Sequence, residues 1–132
     1  MSEIIIVPGE NKRVKAIVGD RTIKTDQSRL AGGDSSAPEP FTLFLVSLGT
    51  CAGSYVFQFC QSRNISTEGM SIKEKIISRK DGKGIGKIQF EIELPPEFPK
   101  KYEKAVVRAA NLCAVKKHLE NPPEISVDIK KD

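Results

Sequence analysis

The stretch from Pro40 to Ser62 carries no charged side chain, in a chain where 29% of residues are charged. Its length and composition predict a helix that is apolar on nearly all sides, and such a helix belongs either at the centre of a fold or in a membrane. Gly49, Gly53, two glutamines and several Ser and Thr residues make it a poor membrane span. We therefore expect the buried central helix of a soluble domain, beginning close to Pro40 or Phe41.

The polar residues of this predicted helix follow one another at steps of four and three, which places them on one side. They are Ser47, Cys51, Ser54, Gln58 and Gln61. Cys60 falls on the opposite side from Cys51 and too far along the helix for the two to be bridged. A buried polar stripe of this kind needs polar partners facing it, because an unpaired buried group costs roughly 1–3 kcal/mol.

Composition indicates a single small domain spanning residues 1–132, which is short enough that completing its core by oligomerisation is reasonable. The net charge of +4 is mild, and only two tyrosines accompany the scattered lysines, so we expect no nucleic-acid partner. Three cysteines without regular spacing do not form a disulfide framework. With no secretory signal visible, we expect reduced thiols and a cytoplasmic location.

The remaining pattern predicts an α+β fold with antiparallel sheets. A three-stranded meander is expected first, then a long loop with a Gly-Gly pair and two prolines, the central helix, a hairpin, a second helix and a last strand. The predicted strands are residues 3–7, 13–18, 21–25, 70–78, 87–94 and 125–129, the loop is 26–40 and the second helix is 100–119. In that second helix Cys113 falls on the apolar stripe that faces the core.

Two cysteines are candidates for chemistry. Cys51 on the polar stripe of one helix and Cys113 on the inward stripe of the other could come within disulfide range, because packed helices lie about 8–10 Å apart. A reactive cysteine must be a thiolate, and we expect an arginine from the loop or the first hairpin to stabilise it. The alternative is that these cysteines only fill space in the core, as buried free cysteines often do. A metal site is not expected, since His118 is the only histidine and there is no paired cysteine motif.

Two segments resemble one known family. The residues GGDSSAPEP followed by FTLFLVSLGTC are similar to the segment that leads into the first cysteine of the OsmC/Ohr family, the osmotically inducible protein C and organic hydroperoxide resistance proteins. NLCAVKKHL resembles the second cysteine motif of that family, and the predicted order of elements agrees as well.

The resemblance implies an intertwined homodimer that acts as a cofactor-free thiol peroxidase on organic hydroperoxides or hydrogen peroxide. In such a protein Cys51 attacks the peroxide and becomes a sulfenic acid. Cys113 then resolves it as a disulfide, which an external dithiol reduces. Cys60 receives no role from the family and is expected to pack in the core.

The sequence departs from the family where peroxidase-type members carry a glutamate, just after the proline that opens the central helix. Phe41 and Thr42 occupy those positions, and Glu39 precedes the proline. The family's activating arginine is assigned to Arg29 first, with Arg13 and Arg21 as alternatives. Without the carboxylate the arginine is less firmly oriented.

Two other functions stay open at this point. One is a non-peroxidatic binding or thiol-carrier protein that uses the same pocket. The other is a structural dimer whose cysteines are inert.

Overall fold

The computed structural model describes residues 3–131 and confirms the mixed α+β class with antiparallel sheets. The strands are β1 (Ile5–Pro8), β2 (Val14–Val18), β3 (Arg21–Thr25), β4 (Ser71–Ser78) and β5 (Ile85–Glu93). The helices are α1 (Pro40–Ser62), α2 (Glu103–Ala110) and α3 (Ala114–Glu120), with single 3-10 turns at Arg29–Ala31 and Lys100–Tyr102. The chain divides into two compact units, one ending at Val46 and one beginning at Ser47.

The first unit contains the predicted meander, β1-β2-β3, paired antiparallel throughout. Its register places Ile6, Ala16 and Ile23 side by side on one face of the sheet. Ile6 and Ile23 are both exposed in the single chain. An apolar sheet face therefore has no cover within this unit.

The loop between β3 and α1 is organised around the carboxylate of Asp26, which is fully buried. This carboxylate accepts hydrogen bonds from the backbone N–H groups of Gln27, Asp34 and Ser36, and from the Ser36 hydroxyl at 2.6 Å. These donors, the Ser36 hydroxyl first, lower the pKa of Asp26 to about 2. The loop closes so tightly that a side chain at Gly33 would overlap the carbonyl of Gln27.

The second unit packs the β4–β5 hairpin and α2 against α1. Val56 and Cys60 of α1 form a core cluster with Phe98 and Val106. The strand predicted over 87–94 is confirmed as β5, in which Ile88, Phe90 and Ile92 are half-buried and Gln89 is exposed, while Glu91 is half-buried too. The turn between β4 and β5 uses Gly82 and Gly84, both at positive φ.

Helix α1 begins at Pro40 as predicted, but the expectation that it is buried on nearly all sides is wrong for the single chain. Its buried residues are Leu48, Ala52, Gly53, Val56 and Cys60. Phe41 and Val46 stay exposed, because only one side of the helix meets the hairpin and α2. Among the described helices, only α1 is long and apolar enough to cross a membrane. The buried core helices of soluble proteins meet the same two criteria.

Two predicted elements differ from those in the structure. The expected helix over residues 100–119 is broken, because the chain leaves helical geometry at Cys113 (φ −45°, ψ 118°) and starts α3 afresh. Leu112, next to this break, is exposed. The strand predicted at 125–129 is not formed, because within the described residues that segment pairs with no other strand. Ile125, Val127 and Ile129 are 86%, 91% and 84% exposed.

Candidate active site: a thiol pair at the start of α3

Cys113 is placed by the break between α2 and α3. It is the N-cap of α3, and its sulfur accepts a hydrogen bond from the backbone N–H of Lys116 at 3.4 Å. The first N–H groups of a helix have no partner inside the helix, so a side-chain acceptor at the N-cap stabilises it. The cysteine thus holds the start of α3 in place while its side chain stays inside the core, only 2% exposed.

Cys51 reaches the same helix end from α1. Its sulfur accepts hydrogen bonds from the backbone N–H groups of Val115 and Ala114, and from the thiol of Cys113. The Val115 N–H contributes most to lowering the pKa of Cys51 below its ordinary value, while burial opposes it. The backbone N–H groups of residues 114, 115 and 116 therefore all donate hydrogen bonds to the two sulfurs.

The pKa of Cys113, the second thiol of the pair, is shifted in the opposite direction to that of Cys51. Burial, the largest effect, raises the pKa of Cys113, and the neighbouring sulfur of Cys51 adds to the rise. Its S–H has a further acceptor in the carbonyl oxygen of Leu48, 3.8 Å away. The pair is thus asymmetric: Cys51 favours the thiolate, and Cys113 keeps its proton.

The arginines predicted to stabilise the Cys51 thiolate lie on elements other than α1 and α3. Arg29 lies in the first unit on the 3-10 turn, where its side chain is exposed and its backbone N–H donates to the Ser35 hydroxyl at 3.2 Å. Arg21, also exposed, is the first residue of β3. The role of Arg29 toward Cys51 stays a prediction.

Arg13, the other alternative, lies just before β2 and contacts the Asp26 loop. Its Nε donates to the Ser36 hydroxyl at 2.9 Å and lies 3.9 Å from the Asp26 carboxylate, and its Nη2 is 3.3 Å from Asp34. The guanidinium of Arg13 is therefore oriented by Asp26 and Asp34, whereas Phe41 and Thr42 carry no carboxylate that could orient it.

The prediction that Cys51 and Cys113 lie close together agrees with the hydrogen bond between their thiols, but the sequence analysis missed the backbone N–H groups that donate to Cys51. Cys51 lies too far along α1 to be stabilised by the N-terminus of its own helix. A signal was present in the residues after Cys113, since a cysteine is an acceptor able to cap the short helix AVKKHLE.

Cys60 lies apart from this pair. It is fully buried in the core cluster with its sulfur 3.9 Å from that of Met70. Burial raises the pKa of Cys60, although the charge of Arg63 acts in the opposite direction, so this thiol is suited to packing.

An apolar cleft of about 580 Å³ lies in the second unit, beside Cys113. Its walls come from β5, α2, α3 and one side of α1, and they include Ile88, Phe90, Val106, Val107, Cys113 and Leu119. Lys87 and Lys116 also line it. Cys51 is not part of its lining.

No group of three or more His, Cys, Asp or Glu residues within 3–131 is arranged to hold a metal ion. His118 is exposed on α3, with Nδ1 2.7 Å from the carbonyl oxygen of Ala114. It lies in the last turn of α3.

Comparison with known proteins shows the family to which this chain belongs. The model of the OsmC family, described as OsmC-like protein, matches residues 32–128. This chain belongs to the OsmC family. The matched range includes the Gly-Gly loop and both cysteines of the pair.

Solved structures have the same fold as this OsmC-family chain. An osmotic stress induced and detoxification response protein of Psychrobacter arcticus is 21% identical, with a TM-score of 0.72, covering 89% of this chain and 87% of its own. An OsmC-like protein from Mycoplasma pneumoniae is 17% identical (TM-score 0.65, 91% and 87% covered). An organic hydroperoxide resistance protein from Elizabethkingia anophelis is 20% identical (TM-score 0.58, 92% and 91% covered). No curated protein sequence matches the chain.

Proposed function

We propose that this OsmC-family protein is a thiol-dependent hydroperoxide reductase in which Cys51 is the peroxidatic cysteine and Cys113 the resolving one. The observation that carries the proposal is the asymmetry of the pair. Cys51 accepts three hydrogen bonds that favour its thiolate, whereas Cys113 is buried and protonated beside it. A nucleophile and a resolving thiol need that difference.

The first step is attack of the Cys51 thiolate on the terminal oxygen of the peroxide. The O–O bond breaks, the alcohol (or water, from hydrogen peroxide) leaves after taking up a proton, and Cys51 becomes a sulfenic acid. The N–H groups of Val115 and Ala114 hold the sulfur in place and stabilise its charge before attack.

The second step is attack of the Cys113 sulfur on the sulfenic sulfur of Cys51. The S–O bond breaks, water leaves with the Cys113 proton, and the Cys51–Cys113 disulfide forms. The existing hydrogen bond between the two thiols supports this step, because no large movement is needed to bring them into contact. An external dithiol then returns both cysteines to the thiol form.

The proposal includes a homodimer in the cytoplasm, where thiols remain reduced. Apolar surface left uncovered in the single chain supports the dimer: the face of β1-β2-β3, the exposed side of α1 and the alternating segment 125–129. Light scattering of the purified protein should give twice the mass of one chain.

The function is tested by mixing the reduced protein with one equivalent of cumene hydroperoxide and measuring peroxide loss and free thiols together. We expect the peroxide to disappear with loss of both the Cys51 and Cys113 thiols, and Cys51→Ser to abolish the reaction. Peroxide that persists while the thiols remain free would overturn the proposal.

A second candidate, a non-peroxidatic binding or thiol-carrier protein, is favoured by two observations. Phe41 and Thr42 stand where the family glutamate is expected, and the cleft beside Cys113 is large and apolar. Native mass spectrometry of freshly purified protein distinguishes the two: a co-purifying small molecule together with peroxide-resistant thiols supports the carrier.

A further inference from the structure

The sulfurs of Cys51 and Cys113 lie side by side although they belong to different parts of the chain. The Cys113 thiol donates a hydrogen bond to the sulfur of Cys51, which lies on α1. Between them the two sulfurs accept the backbone N–H groups of residues 114, 115 and 116. Two sulfur ligands in contact, with donors already directed at them, are the elements of a site for an ion that prefers thiolates.

The charge of this pair limits which ion it can take. Cys51 favours the thiolate and Cys113 keeps its proton, so the reduced pair carries a single negative charge. Three backbone N–H groups stabilise that charge, because they donate to the sulfurs. A monovalent cation that replaces the Cys113 proton leaves the net charge of the site unchanged. The same three donors then stabilise the occupied site, and no additional charge is buried.

The number of available ligands limits the ion further. Within residues 3–131 no group of three or more His, Cys, Asp or Glu side chains is arranged around a common point, so the pair has no third ligand of these types. The remaining cysteine, Cys60, lies in the core cluster with its sulfur against that of Met70. Zn²⁺ takes four ligands in structural sites and three protein ligands in catalytic ones, so two thiolates hold it poorly. Monovalent copper is soft, prefers thiolates and is stable between two sulfurs on opposite sides.

We propose that the reduced Cys51–Cys113 pair is a binding site for monovalent copper, held between the two sulfurs. Copper forms one bond to each sulfur, the S–H bond of Cys113 breaks, and its proton leaves to solvent. No atom changes its oxidation state in this step. The site needs both thiols in the reduced form and needs no peroxide, so it goes beyond the proposed function.

The two sulfurs differ in access, which gives the loading of the ion a direction. Cys51 is half-buried, whereas Cys113 is 2% exposed. A copper complex arriving from solvent therefore meets the Cys51 thiolate first. The Cys113 sulfur then replaces the last ligand of the incoming complex, and the ion ends between two protein sulfurs.

The experiment titrates the reduced, full-length protein with Cu(I), added as its acetonitrile complex without oxygen, in competition with the chelator bicinchoninate. We expect the protein to take one copper ion per chain from the coloured chelate, and X-ray absorption to show two sulfur neighbours around the copper. Zn²⁺ should bind at least about a hundredfold more weakly, because half of its ligand positions remain unfilled. Copper that stays with the chelator, three or more sulfur neighbours, or equally tight zinc binding would overturn the inference.

Three variants locate the ion. Cys51→Ser and Cys113→Ser should each weaken Cu(I) binding at least about a hundredfold, because one of the two thiolate ligands is lost. Cys113→Ser keeps a side-chain acceptor for the Lys116 N–H, and serine is a favoured N-cap, so α3 keeps its cap. Cys60→Ala is the control, since it removes the third thiol without placing a hydroxyl in the apolar cluster. It should bind Cu(I) as the wild type does, and a loss equal to that of Cys51→Ser would contradict the site.

Copper binding and peroxide reduction are measured separately, so the two proposals can fail separately. Protein that binds Cu(I) between these two sulfurs but leaves cumene hydroperoxide intact supports the copper site and refutes the peroxidase. Protein that reduces the hydroperoxide through both cysteines but takes no Cu(I) from bicinchoninate refutes the copper site alone.

Discussion

The backbone N–H of Val115 donates a hydrogen bond to the sulfur of Cys51, although the two residues lie on different helices. It is the largest of the interactions that lower the pKa of Cys51. The chain thus stabilises its candidate nucleophile with backbone amides from the start of α3, in a place where the sequence predicts an uninterrupted helix.

Replacing Val115 by proline removes this donor while keeping a residue that the first turn of a helix tolerates. We expect Val115→Pro to raise the pKa of Cys51, because the thiolate loses its strongest hydrogen bond. The measurement is the pH dependence of Cys51 alkylation by iodoacetamide, in protein whose other thiols are identified by peptide mapping. Val115→Ala, which trims the side chain and keeps the N–H, is the control and should leave the profile unchanged. A profile that shifts equally in both variants would show that packing, not the amide, sets the reactivity.

Arg29→Ala is expected to raise the pKa of Cys51 as well, if Arg29 supplies the cation that the family uses. The same alkylation profile measures the shift, and Arg21→Ala is the comparison. No shift with Arg29→Ala together with a shift in Arg13→Ala would move the role to Arg13. Arg13→Ala also removes contacts to Ser36 and Asp34, so its unfolding temperature must be measured beside its alkylation.

The three cysteines should separate by function in a turnover assay with cumene hydroperoxide and an excess of a dithiol. Cys51→Ser is expected to reduce turnover to the background rate, whereas Cys60→Ser should stay within about twofold of the wild type. The Cys60 variant should lose stability by roughly 1–3 kcal/mol, because a serine hydroxyl lacks a partner in that apolar cluster. Equal loss of turnover in both variants, with Cys60→Ser still folded, would contradict the assignment.

Glu74 offers a pH-dependent test of the packing between β4 and α1. Its Oε1 lies against Gly49, its Oε2 is buried with no hydrogen-bond partner among the described residues, and burial raises its pKa. A raised folded-state pKa means that stability is greatest below the unfolded-state value and falls as pH increases through the folded-state value. We therefore expect Glu74→Gln to be more stable than the wild type near neutral pH, by roughly 1 kcal/mol, because no charge is then buried.

At roughly pH 4, where Glu74 is largely protonated in both states, that difference should disappear. Urea unfolding at the two pH values measures it. Glu93→Gln is the control, because Glu93 accepts from Lys73 at 2.7 Å and from Ser71, and its pKa is lowered. It should show no gain near neutral pH. A Glu74 variant that is less stable near neutral pH would mean that the carboxylate has a partner in the assembled protein.

The sequence predicted the fold class, the start of α1 and five strands. These depend on local signals, namely the periodicity of apolar residues and the Gly and Pro residues that end each element. It also indicated Cys51 and Cys113, since helical spacing places each on a definable face. Local signals did not reveal the break at Cys113, where the sulfur caps α3 and also contacts Leu48, a residue distant in sequence. The strand expected at 125–129 has the right alternation, but a strand also needs a neighbour, and residues 3–131 of the single chain provide none.

The most direct test of the whole account is mass spectrometry of the reduced protein after one equivalent of organic hydroperoxide. We predict a product that has lost two hydrogen atoms, with peptides carrying Cys51 and Cys113 joined by a disulfide and Cys60 still free. A product in which Cys60 is linked, or in which Cys51 is oxidised to the sulfinic acid while Cys113 remains a thiol, would contradict the resolving role of Cys113 and with it the mechanism.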